Sequence, residues 1–146
     1  MANIIDVAKH FLKINKSVTT MKLQKLCYYA QAWSLVWDEK PIFEEDFQAW
    51  ANGPVCPKLF NKHRGIFILS DGELGEYDAN VFIPDELETL AAIQDFYGDK
   101  SPNWLSDLTH QEKPWIDARK DCIQGEICTN EITKTSMQEY YSALRV

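Results

Sequence analysis

His110 and Glu112 lie two residues apart in the segment LTHQEKPW, residues 108–115. An imidazole beside a carboxylate is the usual material of acid–base catalysis, and Lys113 adds a cation. Such chemistry also needs a nucleophile, a metal or a charge-stabilising donor held in geometry. Neither other histidine supplies one in sequence. His10 adjoins Phe11 and reads as a solvated or edge residue, and His63 with Arg64 closes a short helix, where a cation suits the helix dipole. No HExxH, GxSxG, phosphate-loop or dinucleotide fingerprint occurs. A cysteine and a histidine could meet only in the fold. The expectation is a protein that is not an enzyme, with no catalytic residue, cofactor or metal. A small enzyme using His110 and Glu112 is kept as an alternative.

The same stretch has a structural reading. Lys113 precedes Pro114, which disfavours helical backbone at Lys113. One short helix therefore ends before it and another begins after it. In such a bend His110 can close the corner with a hydrogen bond. Thr109 and Glu112 have capping-box spacing. Trp115 and Arg119, four apart on a helix, can stack.

The cysteines do not point to a metal either. Cys27, Cys56, Cys122 and Cys128 contain no CxxC, and only the last two are close in sequence. The N-terminus carries charges throughout and no apolar core, so it does not read as a signal peptide, and no run long enough to span a membrane exists. A cytoplasmic protein with four free thiols is expected. The net charge of -7 argues against nucleic acid as a partner, because phosphate neutralisation needs a surplus of Lys and Arg. It suits a basic protein surface instead.

These residues are positioned mostly by helices. Residues 3–15 repeat Ile4, Ala8, Phe11 and Leu12 at helical spacing behind Asn3, a cap. A longer helix starts at Thr19 or Thr20 and stops between Asp38 and Pro41. Its apolar residues occupy two faces, Leu23 through Trp37 on one and Tyr28 with Leu35 on another, so it reads as a central buried helix. In the sharper version, Tyr28, Gln31 and Leu35 line a partner groove. A strand is expected at residues 47–51, a turn at Asn52-Gly53-Pro54, and a short helix from Pro57 to His63. Residues 66–69 and 81–83 read as two strands flanking an exposed acidic loop. Asp85 is expected to cap a helix through Tyr97, stopped by Gly98. Ser101-Pro102 opens a helix to residue 107 or 108, and Pro114 opens one through Asp121. The last helix begins near Thr135 or Ser136, with Met137, Tyr140, Tyr141 and Leu144 on its docking face. The fold class is mainly α with a small β element (α+β). One compact domain, residues 1–146, is built around the central helix.

Three segments carry a resemblance: KLQKLCYYAQAW (residues 22–33), PIFEEDFQAWANGPVCPKLF (41–60) and LTHQEKPWIDAR (108–119). In this order and spacing they resemble the Panacea antitoxin domain of SocA-like and GepA-like phage-associated proteins, over residues 4–144. The family pattern often has Gly where this chain has Ala32, His where it has Ser34, and an aromatic where it has Asn52. The resemblance implies an antitoxin of a bacterial or prophage type II toxin–antitoxin system. It would neutralise a cognate small toxin, encoded by the adjacent gene, through direct protein–protein binding. A proteolytic adaptor that delivers a bound protein to a protease is the alternative in the same class. A homodimer is the other protein association the sequence allows; no membrane partner is expected. Contact residues are drawn from the types that dominate interfaces and from the quoted segments. They are Tyr28, Tyr29, Trp50, Asn52, His110, Glu112, Trp115 and Arg119.

Overall fold

Asn3 starts the chain's first helix as its spacing predicts. In the computed structural model, which describes residues 1–144, its side chain accepts from the Asp6 amide at 3.0 Å, and Asp6 accepts from the Asn3 amide at 2.9 Å. This reciprocal box opens α1 (Ile4–Asn15). A three-residue strand β1 (Ser17–Thr19) follows, and Thr19 caps α2 (Thr20–Trp37) by accepting from the Lys22 amide at 3.2 Å. Fourteen of the 18 residues of α2 are buried, so it has no solvent face and is the axis of the core. Helices α1, α4 (Pro84–Tyr97), α5 (Pro102–His110) and α7 (Lys134–Leu144) pack around it.

Two glutamines on α2 hold irregular chain against it. Gln31 donates to the Phe43 carbonyl at 2.7 Å and accepts from the Ile42 amide at 2.9 Å. One heptad earlier, Gln24 accepts from the Cys56 amide at 2.9 Å and donates to its carbonyl at 3.3 Å. Gln31 satisfies backbone groups that no strand or helix pairs there, and Gln24 does the same for the Cys56 amide, while the Cys56 carbonyl also accepts from the Phe60 amide of the next helix. Tyr28, Gln31 and Leu35 are therefore core residues, and the groove expected along them is filled.

Strands β2 (Phe47–Trp50), β3 (Gly53–Val55) and β5 (Glu131–Ile132) form an antiparallel sheet in the order β3-β2-β5. The turn joining β2 to β3 is closed by Gly53, at φ +123°, opposite Trp50. Between β3 and the next strand lies α3 (Pro57–His63). Strand β4 (Ile68–Ser70) does not pair with residues 81–83, which were expected as its hairpin partner. It pairs with β1, and Ala79–Val81 is a 3-10 turn. The cap of α4 also differs from expectation. Glu86, not Asp85, closes it by accepting from the Ile83 amide at 3.0 Å. A shorter α6 (Lys113–Ala118) stands before β5, with Pro114 in its first turn. Among the described residues no helix is long and apolar enough to cross a membrane. The expectation of four free thiols needs correction: Cys122 and Cys128 are joined in a disulfide, while Cys27 and Cys56 are free and buried.

Candidate functional site

The β2–β3 turn and the α5–α6 bend come from segments some sixty residues apart, and they meet in one corner. The Trp115 indole donates to the Trp50 carbonyl at 2.8 Å. Arg119 donates to the Ala49 carbonyl at 2.7 Å and to the Glu126 carbonyl at 2.9 Å. Its guanidinium also lies 5.1 Å from the Trp115 ring centroid, the expected stack. His110 also stacks on Trp115, with ring centroids 4.2 Å apart. Ser106 donates to the Asn52 carbonyl at 2.7 Å. Trp50 is braced in turn by Gln48, which accepts from its indole at 2.8 Å, and by an edge contact with Phe60. Trp50, His110, Trp115 and Arg119 are half-buried, and Asn52 is exposed. Five of the eight candidate contacts thus share one rigid surface.

The other three lie beneath it. Tyr28 and Tyr29 are buried in α2, and Glu112 is 5% exposed. Glu112 does not form the expected capping box with Thr109, whose hydroxyl donates to the Ser106 carbonyl at 2.7 Å. Its carboxylate accepts from both Tyr29 and Tyr141, each at 2.7 Å, and the Tyr28 and Tyr141 hydroxyls lie 3.1 Å apart. Tyr97 stacks on Tyr29 with centroids 4.2 Å apart, and its hydroxyl accepts from Trp33 at 3.0 Å. Burial pushes the Glu112 carboxyl above its usual range, against the pull of the two tyrosine hydrogen bonds. Burial likewise raises Tyr28, Tyr29 and Tyr141, and carries Tyr97 to about 12. A surface partner does not reach this network. It ties α2, the α5–α6 bend and α7 together.

His110 fits neither simple catalytic nor simple corner-closing use. Its Nε2 is buried without a hydrogen-bond partner. Burial first, then Lys25, holds its imidazole below the ordinary value. The side chain of Glu112 turns into the tyrosine network, so the acid–base pair suggested by LTHQEKPW is not assembled there. His10 and His63 are also internal. His10 is hydrogen-bonded to Tyr77 at 2.8 Å, and His63 Nε2 lies 3.0 Å from Gln24 Nε2.

Sequence reasoning passed over Lys25. This residue is 1% exposed, and burial lowers its ammonium to about 7. Its signal was available: a lysine in a helix whose apolar residues already cover two faces has little solvent left to reach. From sequence Tyr141 reads only as part of a docking face and Tyr97 only as the end of a helix, because their partners are distant in sequence.

The family model for the SocA-like antitoxin, Panacea domain, matches residues 23–116. The chain belongs to that family. The match covers all but the first three residues of the central helix, the β2–β3 turn and the α5–α6 bend, and stops short of the 4–144 span that the resemblance suggested. No curated protein and no solved structure gave a significant match.

Proposed function

We propose that this protein is an antitoxin that neutralises a cognate toxin by direct binding, through the corner formed by Trp50, Asn52, His110, Trp115 and Arg119. Membership of the SocA-like antitoxin family carries the reading. The geometry supports it in one respect. Tryptophans and an arginine, the residue types that dominate binding energy, are held on a partly accessible surface, Trp115 and Arg119 by hydrogen bonds to backbone carbonyls and Trp50 by one to the Gln48 side chain. The net charge of -7 favours a basic toxin, with association weakened by salt. The toxin is encoded beside this gene, and the complex forms in the cytoplasm.

The test is co-expression with the neighbouring reading frame. The neighbour alone arrests growth, and this protein restores it with the toxin level unchanged. Rescue that depends on a protease and lowers the toxin level assigns the adaptor role instead. A neighbour without toxicity removes the reading.

A further inference from the structure

A cleft of about 350 Å³ opens beneath the β2–β3 turn, between the first turns of α2 and residues 125–128. Its walls are mainly apolar, with Met21, Val55, Phe60 and Ile127 among them, and Trp50 stands at its side. Lys25 is the only lysine or arginine among the lining residues. Its side chain makes no hydrogen bond or ion pair with the described residues. Burying an unpaired ammonium is costly, and the fold offers no internal counter-charge. Glu126, the acid among the lining residues, is exposed and forms no ion pair with Lys25.

The surrounding chain is shaped to admit that lysine. A Cβ on Gly53 would come within 2.6 Å of Lys25 Cε and 3.1 Å of its Nζ, so this turn position can hold no side chain while Lys25 lies there. The other polar groups deep in the cleft are already committed. Gln24 Oε1 accepts from Cys56, which orients its Nε2 as the donor facing His63 Nε2. His63 therefore accepts at Nε2 and is a neutral imidazole, in line with the lowering of its basicity by burial and, secondarily, by Lys25. One ammonium, its charged form disfavoured by burial, remains at the apolar cleft without a partner among the described residues.

We propose that this cleft is a binding site for a carboxylate carried on an apolar body, with Lys25 as its counter-charge. A single ammonium matches a monoanion, and the apolar walls match a hydrocarbon or aromatic body better than a fully hydrated phosphate. The site goes beyond the antitoxin reading and does not depend on it. Its carboxylate comes either from an acidic side chain or C-terminus of the protein partner, or from a small organic acid.

The probes are benzoate and its neutral isostere benzamide, titrated into the full chain at pH 6 with amide and indole NMR shifts as readout. Benzoate shifts Gln24, His63 and the Trp50 indole saturably, and binds at least about tenfold tighter than benzamide, the scale of one charge-assisted hydrogen bond. Lys25→Met keeps the unbranched chain but for its terminal nitrogen, folds, and loses that preference. Equal binding of the two probes to the wild type overturns the proposal, as does absence of saturable benzoate binding. So does an undiminished preference for benzoate in Lys25→Met. Displacement of benzoate by the bound toxin assigns the carboxylate to the partner. Benzoate binding that persists in the complex assigns it to a small acid, and the site stands in both cases. A neighbour that proves non-toxic leaves the benzoate result unaffected.

Discussion

Glu112 accepts two tyrosine hydroxyls in the core, and that fixes what its substitutions do. Glu112→Ala orphans the Tyr29 hydroxyl, costing about 1–3 kcal/mol, and leaves Tyr141 only its hydrogen bond to Tyr28. Glu112→Gln retains an acceptor oxygen and is much milder, a contrast that urea unfolding reads directly. The two residues also differ in charge. The folded protein holds the Glu112 proton to higher pH than the unfolded chain, because burial raises its carboxyl. Its contribution is fully present below the unfolded pKa and is lost as pH rises through the folded one. The stability of Glu112→Gln therefore falls less steeply than that of the wild type from pH 4.5 upward. Lys25 has the opposite sign. Its folded value of about 7 lies below the ordinary 10.5, so the unfolded chain binds the extra proton between them. The cost of burying Lys25 is full below pH 7 and fades as pH rises toward 10.5. Lys25→Met is accordingly more stable than the wild type, most clearly at pH 6, and thermal melts at pH 6 and pH 9 test this. Little of this was legible beforehand. Glu112 reads locally as a cap, yet its partners are 29 and 83 residues away.

At the scale of elements, local chemistry and long-range pairing divide what could be read. Asn3, Thr19 and Ser101 cap their helices as their positions suggest, because an N-cap needs only amides two or three residues on. The Trp115–Arg119 stack follows from i,i+4 spacing for the same reason. Strands β1 and β5, of three and two residues, have no alternating run to reveal them and exist through partners far along the chain. Tyr28 falls with Leu35 on a second face of α2, where Tyr28 meets Tyr141 of α7, and periodicity alone does not say what covers a face. The glutamine clamps give the element-scale prediction. Gln31→Leu leaves the Ile42 amide and Phe43 carbonyl without partners inside the core. It costs about 1–3 kcal/mol for each, measured by denaturant midpoint with an unchanged m-value.

For the whole molecule, one arrangement accounts for the corner's rigidity. Helix α2 is the axis, the tyrosine–glutamate network fastens α7 and the α5–α6 bend to it, and the corner rests on that assembly. On the proposed function, partner recognition belongs to the surface and stability to the layer below, so substitutions in the two layers separate. On that reading, Trp50→Ala and His110→Ala each weaken toxin binding by about tenfold or more. They disturb the fold less than Glu112→Ala. Calorimetric titration of the purified product of the adjacent gene, the proposed toxin, into this protein tests the central claim most directly. The account predicts a saturable complex that weakens with added salt and with Trp50→Ala in a chain that remains folded. A toxin that arrests growth, is rescued by this protein and yet shows no binding to it would contradict the account.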